Sequence, residues 1–320
     1  MSGRQSGVGE NGGMRIVFAG SPAAAVPSLE ALATSKHTIL AVITREDSPQ
    51  GRRGVLTPTP VAVRAEELGL RVIRANRLDE RVRDEVAALR ADLGVIVAYG
   101  GLVREPLLSD PALGWINLHF SVLPRWRGAA PVQRAIMAGD ATTGATVFRL
   151  VPELDAGDVV AAIDEPIGRF HTAGALLERL AEVGAELLVR SVDGLEDGTA
   201  AFRPQSGDVT FAPKLTLEDG RIDWTLPAVR VHDIIRGVTP EPGAFTVIDD
   251  VRVKILEAAV AHDEIAPAPG VVELRGKAVV VGTGAGALEL VRVHPAGRKA
   301  MDAAAWWRGI DSAATAVRAS

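Results

Sequence analysis

A carboxamide and an imidazole stand two residues apart, at Asn117 and His119, within the run Gly114-Trp-Ile-Asn-Leu-His-Phe-Ser-Val-Leu-Pro-Arg-Trp-Arg-Gly128. Side chains at i and i+2 of a strand project from the same face, so the two polar groups are predicted to point one way while Ile116 and Leu118 enter the core. An amide N–H stabilises a developing oxyanion, and an imidazole moves protons near neutral pH. The pair therefore suits attack on a carbonyl carbon. Pro124 and Gly128 then predict a turn that leads from the strand into a helix.

Holding such a pair requires a sheet. Short runs rich in Val and Ile at 15–19, 38–44, 71–74, 93–98 and 115–119 alternate with stretches of helical character at 22–34, 60–68 and 79–90. This alternation predicts an α/β domain with a mainly parallel sheet covered on both faces. Further strands are expected at 145–151 and 159–167, followed by a helix over 172–193. The composition changes after Gly198, and 203–207 reads as linker. Strand-like runs at 243–248, 251–261, 270–274, 278–281 and 287–293, separated by Gly and Pro, suggest a small barrel flanked by helices at 228–236 and 303–310. The organisation expected is a disordered leader over 1–13, a catalytic domain over 14–200, a linker over 201–213 and a C-terminal domain over 214–320.

At 320 residues, 47% hydrophobic and 23% charged, the chain has the size and composition of an ordinary globular protein with two cores. It contains no cysteine, which excludes disulfides, thiolate metal sites and a cysteine nucleophile, and fits a cytoplasmic enzyme. The first 13 residues are polar and Gly-rich, without the apolar segment of a signal peptide. No apolar run approaches the roughly 20 residues that span a bilayer, so no membrane partner is expected. With a net charge of -5, any nucleic-acid contact must rest on a local basic surface. The turn Gly20-Ser21-Pro22 lacks the spaced glycines of a dinucleotide site, and His37, His171, His232, His262 and His294 form no paired metal-ligand spacing. Neither a nicotinamide cofactor nor a metal is expected.

Around the Asn117–His119 strand, further motifs follow in order: Arg15-Ile-Val-Phe-Ala-Gly-Ser-Pro22, Val97-Ala-Tyr-Gly100, Ser121-Val122-Leu123-Pro124, Arg127-Gly-Ala-Ala-Pro-Val-Gln-Arg134, Leu154-Asp-Ala-Gly-Asp158 and Arg221-Ile-Asp-Trp224. In that order and spacing the chain resembles the folate-dependent formyltransferases, in particular those that act on tRNA, from Met14 to roughly Trp307. Taken alone, Asn117 and His119 would be explained as structural groups at a strand end, and Asp155 as an acidic turn residue. The ordered set reverses that weighting.

The resemblance implies a Rossmann-like domain followed by an OB-like β-barrel domain. It implies transfer of the formyl group of 10-formyltetrahydrofolate to the amino group of methionine on initiator methionyl-tRNA, for translation initiation, by a cytoplasmic monomer. Asn117, His119 and Asp155 become the catalytic residues, and Ser121, Val122, Leu123 and Pro124 the lining of the folate site. Arg125 and Arg127 are placed to attract the acidic folate tail or RNA phosphates. The loop 44–58, with Arg52 and Arg53, is matched to the insertion that engages the tRNA acceptor end, and Arg298 and Lys299 would add phosphate contacts. An alternative in the same class is a formyltransferase acting on a sugar nucleotide or another small amine. Outside that class stands a non-catalytic RNA-binding protein that retains the same body.

Overall fold

Val, Ile and Leu runs that are buried on both sides make strands without polar alternation, and the N-terminal half is built from them. The computed structural model describes residues 12–51, 54–248, 250–261, 266–310 and 317–320. Nearly all of the leader expected at 1–13, and both Arg52 and Arg53, lie outside the described residues. In chain order, β1 (Arg15–Gly20) and α1 (Val26–Ala33) are followed by β2 (Thr38–Thr44), β3 (Ser48–Gln50), β4 (Val55–Thr57), α2 (Pro60–Glu67), β5 (Val72–Arg74), α3 (Glu80–Ala88), β6 (Leu93–Val97) and β7 (Trp115–His119). Then come β8 (Arg127–Gly128), α4 (Pro131–Ala138), β9 (Thr142–Arg149), β10 (Val159–Pro166), α5 (Ala173–Glu196) and β11 (Phe211–Ala212).

Seven of these strands form one sheet in the order β10-β9-β7-β6-β1-β2-β5. The pairs β1–β2, β1–β6, β2–β5 and β6–β7 are parallel, whereas β9 runs antiparallel to β7. The fold is thus mixed α/β with a mostly parallel, Rossmann-like central sheet. Successive residues Ile16, Val17, Phe18 and Ala19 are all fully buried, so both faces of the sheet are covered. Thr59 and Asp79 cap α2 and α3 by accepting the backbone N–H groups of Ala62 and Val82. The stretch 22–34 is not one helix: a single 3-10 turn, Ala23–Ala25, precedes α1, whose first turn carries Pro27, a residue without an N–H to donate. Between β6 and β7, Gly94 lies flat under Trp115; a Cβ there would stand 2.1 Å from the indole. Trp115 Nε1 donates to Leu107 O at 2.8 Å, which anchors the strand bearing the polar pair.

The chain divides into two compact units. The first comprises the described residues up to Pro131 together with Thr143–Pro166 and Leu177–Ala212; the second comprises Val132–Thr142, Ile167–Leu176 and the described residues from Pro213 onward. In the second unit α6 (Ala228–Gly237) precedes β12 (Ala244–Ile248), β13 (Val251–Val260), β14 (Val272–Arg275), β15 (Ala278–Gly282), β16 (Ala287–Pro295), β17 (Met301–Asp302) and α7 (Ala303–Trp307). Its sheet is antiparallel in the order β12-β13-β16-β15-β14, with β17 on β16. Trp224, Val231, Ile235, Val253, Val281, Leu288 and Trp306 share its core. Ala319 bridges to Ile248 and Arg318 to Val271, so the last residues connect with both β12 and the residue before β14. Among the described residues, no helix is long and apolar enough to cross a membrane.

Candidate active site

Asn117 and His119 lie on the C-terminal half of β7, beyond which the chain leaves the sheet. In open α/β sheets the crevice outside the strand C-termini is where ligands bind. Asn117 registers with Ile96 on β6 and Phe148 on β9, and His119 with Thr146. Ile116 and Leu118 are buried, as the strand period requires, and Asn117 is half-buried. His119 is buried as well, with the Phe148 ring edge-on at 6.4 Å between centroids.

Both nitrogens of the His119 ring have assigned surroundings. Nε2–H donates to the carbonyl oxygen of Trp126 at 2.9 Å, and because a carbonyl only accepts, the proton of the neutral ring sits on Nε2. Nδ1 therefore carries the lone pair, and it stands 3.8 Å from Asp155 Oδ2. That carboxylate oxygen accepts the backbone N–H of Gly128 at 2.7 Å. Burial pushes the His119 imidazolium below the ordinary histidine range, against the upward pull of the Asp155 carboxylate and of the Trp126 carbonyl. The ring is thus neutral near pH 7, with its one basic nitrogen facing a carboxylate. Such an arrangement can take up a proton at Nδ1 and stabilise it there.

The two turns that hold His119 and Asp155 are strained. Asp155 has φ +46° and Trp126 φ +61°, left-handed conformations that a non-glycine residue keeps only where its surroundings hold it. Gly157, two residues after Asp155, admits no side chain, because a Cβ would stand 1.8 Å from Arg149 O. Gly157→Ala is accordingly expected to destabilise the protein by about 1–3 kcal/mol and to lower activity by displacing Asp155. Denaturant unfolding beside a rate assay checks this; an unchanged midpoint would show that the turn yields freely.

The loop after β7 is closed by its own polar groups. Ser121 Oγ donates to Arg125 O at 2.6 Å, Thr146 Oγ1 donates to Ser121 O at 2.7 Å, and Leu123 N donates to Thr146 Oγ1 at 3.2 Å. The Leu123–Pro124 peptide bond is cis. Of the four residues matched to a folate site, Ser121, Leu123 and Pro124 are buried and Val122 is half-buried, while Phe120 beside them is also buried. The internal hydrogen bonds of Ser121, Leu123 and Thr146 leave this loop little conformational freedom to lose on binding.

Several groups at the site escape a reading of the sequence. Gln205 Nε2 donates to the carbonyl oxygens of Asp155 and Gly157, both at 2.8 Å, and its Oε1 accepts Arg127 Nη2 at 2.6 Å and Nε at 3.2 Å. Thr210 Oγ1 accepts Trp126 N at 2.9 Å, and β11 pairs with β8. These residues lie in a polar stretch that reads as linker; their only signal is an amide and a hydroxyl amid Gly, Ser and Pro.

Arg298 and Lys299 are exposed in the second unit, on the turn between β16 and β17, where His294 Nε2 donates to Arg298 O at 2.9 Å. The loop 44–58 contains the exposed hairpin β3–β4 on either side of Arg52 and Arg53. Among the described residues, one set of side chains has the spacing of metal ligands, His37, Asp193 and Glu196, within 4.8 Å of one another. Lys36 Nζ already supplies a cation there, 2.6 Å from Glu196 and 3.3 Å from Asp193.

A strand-borne amide and imidazole are thus faced by a turn carboxylate at the end of a mostly parallel sheet. Residues 14–192 match the formyl transferase family model and residues 214–311 match the model of the formyl transferase C-terminal domain, so the chain belongs to the formyl transferase family. Within it, the chain is 59% identical over 297 residues to the methionyl-tRNA formyltransferase of Clavibacter michiganensis subsp. michiganensis, spanning 93% of this chain and 97% of that protein. It is 58% identical over 296 residues to the methionyl-tRNA formyltransferase of Leifsonia xyli subsp. xyli, spanning 92% and 97% respectively. The N-formyltransferase of Helicobacter canadensis, solved in complex with folinic acid and dTDP-3-aminofucose, superposes with a TM-score of 0.68 at 17% identity, over 87% of this chain and 98% of that one. HypX from Aquifex aeolicus, solved in complex with tetrahydrofolic acid, superposes with a TM-score of 0.61 at 19% identity, over 92% and 46%. At these identities the two structures attest the fold.

Proposed function

We propose that this chain transfers the formyl group of 10-formyltetrahydrofolate to the amino group of methionine on initiator methionyl-tRNA. The observation that carries the proposal is identity of 59% to a methionyl-tRNA formyltransferase over nearly the full length of both chains. Such a reaction is that of a cytoplasmic translation enzyme, and one chain supplies the whole proposed site, so we assign a monomer.

Asn117, His119 and Asp155 fill the three roles that the chemistry demands. The donor supplies the one-carbon unit, and attack by the amine places negative charge on the formyl oxygen. Asn117 donates its amide N–H toward that charge. With Nε2 bound to Trp126 O, His119 serves at Nδ1, where it collects the proton leaving the attacking nitrogen and returns it to the departing one. Asp155 stabilises the imidazolium formed in between. An α-amino group titrates at roughly 7.7–8.0, so much of the acceptor is already neutral and no strong base is needed. The apolar edge of Val122 and Leu123, stiffened by Pro124 and by the internal bond of Ser121, suits the flat ring system of a folate.

We assign formyl transfer to 14–200 and tRNA binding to 214–320, with 201–213 between them. Hydrogen bonds of Val247 with Ser320 and of Val272 with Val317 carry the second sheet's hydrogen bonding around to its far side, which supports an OB-like barrel. Arg298 and Lys299 on its surface, together with Arg52 and Arg53 in the loop 44–58, are the proposed phosphate contacts. Replacing Arg52 and Arg53, or Arg298 and Lys299, with alanine is expected to weaken use of charged tRNA. It should also reduce the slope of log KM for tRNA against log salt by about one for each phosphate no longer neutralised. Slopes equal to the parent's would remove that pair of residues from the interface.

The deciding assay offers purified protein and labelled formyl donor to methionyl initiator tRNA, methionyl elongator tRNA, an amino-sugar nucleotide and free methionine in parallel. Label on initiator tRNA alone is expected. Label on the sugar nucleotide would instead support the small-amine alternative, and absence of label on every acceptor would overturn the proposal.

A further inference from the structure

We infer that Gln205 is a positioning residue for the catalytic pair: its carboxamide ties the turn that carries Asp155 to the turn that holds His119. Both N–H bonds of Nε2 are used, one on Asp155 O and one on Gly157 O, each at 2.8 Å. Its oxygen receives two N–H groups of Arg127. Every donor of the carboxamide is satisfied, and so are both acceptor positions on its oxygen.

The position of Arg127 gives these bonds their consequence. The residue before it, Trp126, offers the carbonyl that holds His119 Nε2, and the residue after it, Gly128, offers the N–H that holds Asp155 Oδ2. Gln205 thus joins two segments whose separation sets the 3.8 Å between His119 Nδ1 and the Asp155 carboxylate. Asp155 also keeps its left-handed backbone at φ +46° while its own carbonyl is fixed by Gln205. Neighbouring bonds hold the donor of the clamp in place: Arg203 N and O both pair with Val159, and Arg127 N donates to Thr210 O. A misplacement of about 1 Å at a reacting pair costs on the order of 100-fold in rate. Gln205 is therefore placed to influence turnover although no catalytic step needs its own atoms.

The kinetic arm rests on the formyl-transfer reading above. The variants are Gln205→Met, which keeps the bulk and loses all four hydrogen bonds, and Gln205→Ala. Each is expected to lower kcat about 10- to 100-fold while KM for donor and for tRNA changes less than about 3-fold. The second arm follows the ring protons of His119 by NMR across pH in the protein alone, so it decides the question even if the chain formylates a different acceptor. The nearby carboxylate raises the His119 midpoint, and once Asp155 recedes the midpoint should fall in both variants. Unchanged kcat in both variants would overturn the inference. So would a lowered kcat with an unmoved His119 midpoint, or failure of both variants to fold, since either result makes Gln205 a structural residue only.

Discussion

His119→Ala is expected to lower the rate of formyl transfer at least about 100-fold, and Asn117→Ala to do the same, with both proteins still folded. General acid–base groups contribute about 100- to 10,000-fold, and a single oxyanion donor about 100- to 1,000-fold. Structural damage is expected to be the smaller effect. Losing the imidazole removes one hydrogen bond from the half-buried Trp126 carbonyl, an effect of about 0.5–1.5 kcal/mol. The half-buried Asn117 can lose its amide while the backbone pairing of β7 with β6 and β9 persists. Single-turnover rates with saturating donor and charged tRNA, measured beside thermal unfolding, separate the two contributions. Normal turnover in either variant would remove that residue from the proposed catalytic set.

How much of this was legible in the sequence depends on whether the cause is local. Strands β1, β2 and β6 show as mainly apolar runs because both sheet faces are buried, whereas β7 alternates Ile116 and Leu118 with Asn117 and His119, so a period of two places the polar pair together. The antiparallel course of β9 against β7 is not local. It depends on pairing between segments about 30 residues apart, which periodicity does not report. Asp155 can be singled out in the sequence only through a resemblance, since an aspartate before Ala-Gly has a sufficient explanation as a turn residue. Its approach to His119 needs two left-handed residues and a backbone N–H from Gly128.

The stretch 203–212 illustrates the opposite difficulty. Its Pro, Ser and Gly content describes a segment without regular structure, and that much is correct for most of its length. Irregular backbone can nevertheless be fully bonded. Arg203, Gln205, Thr210 and Ala212 each make hydrogen bonds to segments some 40 to 85 positions earlier in the chain. Composition registers the missing periodicity, whereas the partners are set by tertiary contact. The same limit applies to the Trp126 carbonyl, which fixes the tautomer of His119 by a backbone atom that every residue possesses.

Asp155→Asn should have an effect comparable to that of removing the imidazole, for a different reason. An asparagine Oδ1 can still accept the Gly128 N–H, so the turn is expected to persist and the change is mainly one of charge. In the parent protein burial pushes His119 down and the carboxylate partly offsets it, so removing the carboxylate lowers the titration midpoint of His119 further. A weaker base collects the proton of the attacking amine less readily, and the imidazolium loses its nearest counter-charge. The pH-independent rate should fall about 100-fold or more. In the proposed mechanism activity depends on neutral His119 and is lost as pH falls through its midpoint, so the acidic limb should move to lower pH in the variant as the plateau drops. A general loss of structure would lower the plateau without displacing the limb in that direction. A limb displaced upward, or a plateau within about 3-fold of the parent's, would separate Asp155 from the proton path and leave it a turn residue whose charge the reaction does not use.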